Sequence, residues 1–295
     1  MPEKINVNGV ISDAATAVVP AMDHGFLFGD SIYETLRTYG GHFFRFDAHH
    51  ERLQASAASL QLTLPLTEEG FRERTLETLA AAEIEDASVR LVVTRGVGPM
   101  GLDPTACDSP NVLVFVRPRP RYPEGAYANG LSVAIVSRTR NHRASLDPNV
   151  KSGNYLNNVL ALVEANQAGA FEAVMLNADG QVTEGSTSNL FIVKDGRVQT
   201  APVSAGLLSG ITRREVLACC QREGVELLEQ PFGPEELRGA DEVFITSALK
   251  QLMPITKVDG QTIGDGQAGE VSRRLLASYR QAVLEETGVA PEEDS

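Results

Sequence analysis

With 295 residues the chain is long enough for roughly two domains and for a core that needs no covalent staples. It is 42% apolar and 22% charged, as in an ordinary globular protein, and its net charge of -13 argues against a nucleic-acid backbone as partner. Three cysteines, two of them adjacent as Cys219-Cys220, give no disulfide framework and no metal-ligand spacing, which fits a reducing cytoplasm. No basic start followed by an apolar run marks a secretory leader, and no apolar run is long enough to span a bilayer. Part of the acidity falls in a tail, Glu285-Glu286 and Glu292-Glu293-Asp294, and reads as solubility.

In chain order, Lys4 to Ile11 alternates with period two around an Asn8-Gly9 turn signal. Ser31 to Tyr39 reads as a strand closed by Gly40-Gly41, with His42 to Phe46 as its hairpin partner. Asp47 is placed to cap a helix from Ala48 to about Leu60, and a second helix spans about Thr67 to Ala82. Ser88 to Thr94 and Asn111 to Arg117 read as strands. Arg117 to Gly125 has three prolines in nine residues and marks a stiff connection between domains. The expected division is residues 1–118, a connecting loop 119–130, and residues 131–295.

The second half opens with a strand from Leu131 to Ser137, then a helix from Asn154 to Gln167 ended by Gly169. Strands follow at Glu172 to Leu176 and Leu190 to Val193, with Lys194 to Arg197 as a hairpin turn. Thr212-Arg213-Arg214-Glu215 has capping-box spacing before a helix to about Glu223. Asp241 to Thr246 reads as a strand and Gly269 to Glu286 as a last helix. Helices and hairpins without regular strand-helix alternation point to an α+β protein.

Several residues can carry chemistry, each with a plainer alternative. Lys151, before the amide-rich Ser152-Gly153-Asn154-Tyr155-Leu156-Asn157-Asn158, reads as a Schiff-base amine or as a surface lysine at a helix start. Glu184, after the turn Asn177-Ala178-Asp179-Gly180 and a short strand, reads as the partner of a pyridine nitrogen or as a loop acid. Gly206 to Thr212 leads into a helix whose first N–H groups suit a phosphate, or is a capped helix with no ligand. Arg52 is a fixed cation that can clamp the same phosphate or sit in a surface ion pair. Thr246-Ser247-Ala248 ends a strand with hydroxyls and N–H groups.

Occurring together and in this order, these features resemble the fold-type IV enzymes of pyridoxal 5'-phosphate (PLP), the branched-chain aminotransferase-like family. The resemblance is carried by Met22 to Thr35, His49 to Leu53, Lys151 to Asn158 and Glu184 to Phe191. It is extended by Gly210 to Arg213 and Phe244 to Ala248. It implies a two-domain α+β subunit, a smaller N-terminal α/β domain and a larger C-terminal domain with mixed sheets and a barrel-like core, with PLP at the domain interface. It implies a homodimer or higher homo-oligomer; the charge and the short apolar runs already argue against a nucleic-acid or membrane partner. Lys151 is then the Schiff-base lysine, Glu184 the partner of the pyridine nitrogen and Tyr155 the partner of the phenolic oxygen. Arg52, Ile211, Thr212 and Ser247 are then the phosphate ligands. Phe28, Tyr33, Arg90, Met100, Tyr127 and Ala248 are the implied substrate-side residues. The implied reaction is a ping-pong transamination between an amino acid and a 2-oxo acid such as 2-oxoglutarate.

Within the family the motifs are mixed. Arg90, Gly125-Ala126-Tyr127 and Thr94 to Leu102 resemble the branched-chain L-amino acid enzymes, although Ser88 replaces their tyrosine. Ser186-Thr187-Ser188-Asn189 and Thr246-Ser247 are closer to D-amino acid or (R)-amine transaminases, whose Arg-x-His carboxylate trap is absent at Met100-Gly101-Leu102. Ser247-Ala248-Leu249 and Met253-Pro254 are similar to aminodeoxychorismate lyases, which seldom carry Tyr155. The branched-chain reading is favoured over these, and over a non-catalytic PLP-binding protein. Arg37, Arg95, Arg138, Arg140 and Arg143 stand as spare cations for a substrate carboxylate.

Overall fold

The alternation at the start of the chain forms a hairpin, β1 (Lys4–Val7) and β2 (Val10–Asp13), turned by Asn8 and Gly9, both at positive φ. The computed structural model describes residues 3–291. The acidic tail Glu292-Glu293-Asp294 therefore lies outside the described residues. The chain divides into two compact units. The first takes in the chain up to Pro120 together with Val150–Asn154, and the second takes in Arg121–Asn149 and the chain from Tyr155 on.

In the first unit a short helix α1 (His24–Phe28) precedes β3 (Ser31–Tyr39) and β4 (His42–Phe43). Helices α2 (Phe46–Ser59) and α3 (Glu68–Ala82) follow, then β5 (Ala87–Thr94) and β6 (Asn111–Pro118). Among the described residues, these six strands form one antiparallel sheet in the order β2-β1-β6-β5-β3-β4. Leu53 and Ala57 of α2 and Phe71 and Leu79 of α3 share a core with Ile32, Leu36, Val89 and Val114 of the sheet.

Asp47 does not cap α2. The helix begins two residues earlier than expected, at Phe46, behind Arg45 in a left-handed conformation (φ 57°), and Asp47 sits in the first turn, where its charge suits the helix dipole. Thr67 caps α3 instead of joining it, its Oγ1 accepting from the Gly70 N–H at 3.2 Å. Pro118, read as linker, ends β6. It lies past Val116, the last β6 residue paired with β1, so its missing N–H costs no bond on that side.

The second unit contains α4 (Ala126–Asn129), β7 (Leu131–Ile135), α5 (Leu156–Gln167), β8 (Glu172–Leu176), β9 (Val182–Gly185), β10 (Asn189–Lys194) and β11 (Arg197–Thr200). These are followed by α6 (Ile211–Glu223), β12 (Leu227–Glu229), α7 (Pro234–Arg238), β13 (Glu242–Ser247), β14 (Gln251–Val258), β15 (Gln261–Thr262) and α8 (Glu270–Thr287). The path β10-β13-β14-β7-β8-β9 returns to β10, because Asn189 of β10 pairs with Glu184 of β9. A closed, barrel-like sheet results, with β11, β12 and β15 as extensions. Strand β14 has Pro254 in its middle, a residue that normally argues against a central strand. Here the pairing with β7 starts only at Ile255. The capping box expected at Thr212 is not formed. Helix α6 starts at Ile211, with Gly210 at the N-cap and no side-chain capping bond.

Candidate active site

In the first unit, Val150–Asn154 lies along the start of β3. The Tyr33 N–H donates to the Lys151 carbonyl at 3.0 Å, Ser152 bridges Ile32, and the Gly153 N–H donates to the Ser31 carbonyl at 2.7 Å. A side chain at Gly153 would collide with the Ser31 hydroxyl, so the close approach needs glycine. The Lys151 N–H donates to Ser56 Oγ at 3.2 Å. Lys151 is thus fixed by its backbone at both ends, and its Nζ lies 4.5 Å from the centre of the Tyr33 ring. The Arg90 guanidinium lies 3.8 Å from the same ring centre. Tyr33, Arg90 and Lys151 thus lie side by side in the first unit.

Tyr33 and Glu34 are successive strand residues and point to opposite faces of the sheet. Glu34 meets α2, where His49 and Arg52, three apart, share a face. Arg52 forks onto Glu34 with Nε to Oε1 at 2.8 Å and Nη2 to Oε2 at 2.7 Å, and His49 Nδ1 lies 2.7 Å from Oε2. Burial opposes a charge on Glu34, but Arg52 and His49 outweigh it and hold its carboxyl down at about 2. Burial also pushes His49 below its ordinary value, against the pull of Glu34, with Arg52 and Lys151 adding to the depression. Arg52, expected at a phosphate, is therefore oriented by a buried carboxylate.

The Met22-Asp23-His24-Gly25 motif is scaffolding. Buried Asp23 caps α1 through the Gly25 N–H at 2.7 Å and accepts from Thr94 Oγ1 at 2.7 Å and Asn111 Nδ2 at 2.6 Å. Phe28 ends α1 with its ring edge-on to His24. Met100 is 75% exposed on the loop after β5.

In the second unit Glu184 is buried on β9 with both oxygens engaged. Arg140 Nε donates to Oε1 at 2.8 Å, and the Leu208 N–H donates to Oε2 at 3.0 Å, with Asn189 Nδ2 at 3.4 Å. Arg140 is in turn held by Asn157 Oδ1 at 3.3 Å, and Asn158 Nδ2 donates to the Ser186 carbonyl at 2.8 Å. The two asparagines after Lys151 in the sequence thus serve the surroundings of Glu184. Arg140 was legible only as a spare cation, and its bond to Glu184 corrects that reading. Arg37 and Arg95 are likewise committed, to Asp86 and Asp30, and Arg143 pairs with Asp147 at 3.6 Å. The hydroxyls of Ser186, Thr187 and Ser188 all donate to buried Glu172.

The N-terminus of α6 presents Ile211 and Thr212 behind uncapped Gly210, whose Cα is closed in by Asn189. Glu184 pairs with Asn189 and Asn189 with Thr246, which sets these three side chains in a row on one face of the sheet. Thr246 Oγ1 is buried without a hydrogen-bond partner among the described residues. Ser247 Oγ accepts from the Lys250 N–H at 3.2 Å, and Ala248 follows in the same turn. The Tyr127 hydroxyl donates to the Lys250 carbonyl at 2.9 Å. Tyr155 stands at the N-cap of α5. A fixed buried carboxylate, an uncapped helix start and an unpartnered buried hydroxyl fit a ligand with a protonated ring nitrogen and a phosphate.

Comparison with known proteins agrees. The family model of amino-transferase class IV matches residues 31–258. A Methanocaldococcus jannaschii protein, provisionally named a branched-chain-amino-acid aminotransferase, is 41% identical over 277 residues, covering 94% of this chain and 95% of that one. The D-alanine aminotransferase of Bacillus licheniformis is 35% identical over 284 residues, covering 96% and 98%. The solved structure of the Escherichia coli branched-chain amino acid aminotransferase superposes with a TM-score of 0.90 at 30% identity, covering 98% of this chain and 96% of that chain. Fold, matched span and near full-length identity lead to one conclusion: the chain belongs to the class IV aminotransferases, enzymes whose cofactor is pyridoxal 5'-phosphate.

Proposed function

We propose that the chain moves an amino group between a branched-chain L-amino acid and a 2-oxo acid such as 2-oxoglutarate. The observation that carries the reading is the shared placement of Lys151 and Arg90 over Tyr33. An amine and a guanidinium on one aromatic ring suit the two ends of an amino acid, the reacting nitrogen and the carboxylate. Bound, the cofactor supplies the carbonyl that takes the amine and the ring that takes up charge. Lys151 anchors it and moves the proton at the substrate's α-carbon. Glu184 keeps the ring nitrogen protonated, Tyr155 donates to the phenolic oxygen, and Arg52, Ile211, Thr212 and Ser247 hold the phosphate. Phe28, Tyr33, Met100, Tyr127 and Ala248 shape the side-chain pocket. An apolar wall separates substrates that differ by one methylene only modestly, so several branched donors are accepted.

The test is a yellow protein whose visible band borohydride abolishes, with the cofactor fixed on Lys151. A protein that takes up no PLP, or a label on another lysine, overturns the assignment. The D-amino acid reading is supported by the relatives named D-alanine aminotransferases. L-leucine, D-alanine, (R)-1-phenylethylamine and aminodeoxychorismate, each mixed with the holoenzyme and followed spectroscopically, separate these readings. Conversion by D-alanine and not by L-leucine would reverse the choice. We further propose a homo-oligomer in which a second copy covers Leu156, Val159, Leu160 and Val163, exposed at one face of α5. Leu156→Glu is expected to lower the mass measured by light scattering, and an unchanged mass counts against that face.

A further inference from the structure

Lys250 lies in the turn between β13 and β14 and joins three parts of the second unit. Its Nζ donates to Thr187 Oγ1 at 2.7 Å and lies 3.4 Å from Glu172 Oε2. Its backbone N–H donates to Ser247 Oγ, and its carbonyl accepts from the Tyr127 hydroxyl. Glu172 is 2% exposed at the start of β8 and also accepts from the Ser186 N–H at 2.9 Å and from the three hydroxyls of Ser186 to Ser188. Burial opposes its charge, yet Lys250 and then the Ser186 hydroxyl outweigh it and keep the carboxyl below its ordinary value.

The ion pair therefore ties the turn after Ser247 to the segment that leads from β9 into β10. That segment begins two residues after Glu184. The tie also sets a hydroxyl. Because Ser247 Oγ already accepts from the Lys250 N–H, its own hydrogen is directed elsewhere, as a donor. The same turn fixes the hydroxyl end of Tyr127.

We propose that Lys250 is a positioning residue of the aminotransferase site. Its ion pair with Glu172 holds the turn in the register in which Ser247 donates to the cofactor phosphate and Tyr127 stands as a pocket wall. This rests on the assignment of Ser247 and Tyr127 made above. A hydrogen bond to a charged group contributes about 1.5 kcal/mol or more, which is roughly tenfold in affinity.

The experiment compares PLP with pyridoxal, which lacks the phosphate, on apo-protein of the wild type and of Lys250→Met and Lys250→Arg. Lys250→Met is expected to lose about tenfold in PLP affinity with pyridoxal affinity unchanged, and its KM for the amino acid is expected to rise more than kcat falls. Lys250→Arg keeps the charge and is expected to retain most of the PLP preference. If Lys250→Met alone does not fold, Glu172→Gln combined with Lys250→Met leaves no unpaired buried carboxylate, and the same selective loss is expected of it. Equal loss for both ligands, or no loss, overturns the proposal. A wild type that does not prefer PLP to pyridoxal overturns instead the phosphate assignment on which it rests.

Discussion

Replacing Glu34 with Gln removes the charge from a carboxylate that is 2% exposed and accepts three bonds from Arg52 and His49. Its depression from the ordinary 4.5 to about 2 corresponds to roughly 3 kcal/mol of folded-state stability at neutral pH. Breaking a buried pair by removing one partner costs about 3–5 kcal/mol by general experience, so the two routes agree. The sign follows from which state takes the proton first. As pH falls below 4.5 the unfolded chain protonates at this position while the folded chain does not, until about 2. The contribution is therefore whole above pH 4.5 and is lost as pH falls through to about 2. His49, depressed by burial, adds an acid-side loss that begins below its ordinary 6.5. The assay is urea unfolding of wild type and Glu34→Gln from about pH 7 to about pH 2.5. The expected gap is roughly 3 kcal/mol at neutral pH, narrowing below about pH 4.5. A variant as stable as wild type, or a gap of constant size across that range, refutes the reasoning.

Three further outcomes are expected. Arg140→Gln and Glu184→Gln should each weaken PLP binding, and because the two residues share a bond, the double variant should fall short of the summed effects by about 0.5–3 kcal/mol. Equilibrium titration of the apo-proteins measures this. Phe71→Ala, at a ring 1% exposed in the core of the first unit, should cost about 3–5 kcal/mol in urea unfolding. Gly153→Ala should lower both stability and the rate of borohydride labelling at Lys151, and adding Ser31→Ala, which removes the hydroxyl in the way, should recover part of both.

Local signals carry the strands, the long helices and the main candidate residues of the site. Lys151 and Glu184 stand out because each sits in a short stretch of unusual residue types, and their order along the chain is itself a pattern. The groups that fix them are not legible. Arg140 lies 44 residues from Glu184, and Lys250 lies 78 from Glu172. A lone charge in a sequence looks solvated until the fold supplies its partner. The Ser186 to Ser188 hydroxyls mislead for the same reason, since nothing local shows that they serve a buried carboxylate on another strand. Two helix starts, at Asp47 and Thr212, differ from what the sequence suggests. Arg45 takes up a left-handed conformation, and Gly210 stands at the N-cap of α6 with no side-chain capping bond, leaving the first N–H groups of the helix uncapped by a side chain.

The return of Val150–Asn154 to the first unit has a consequence for synthesis on the ribosome. When the chain has emerged only as far as Pro120, the Tyr33 N–H lacks its acceptor and the start of β3 lacks the bridge from Ser152 to Ile32. An apolar strand end with open backbone groups invites pairing with other nascent chains. The segment that covers it is the one that brings in Lys151. A truncated chain ending at Pro120 is thus expected to aggregate, and one ending after Asn154 to be better protected. The backbone of Lys151 and its neighbours thus finishes the sheet against which this lysine stands.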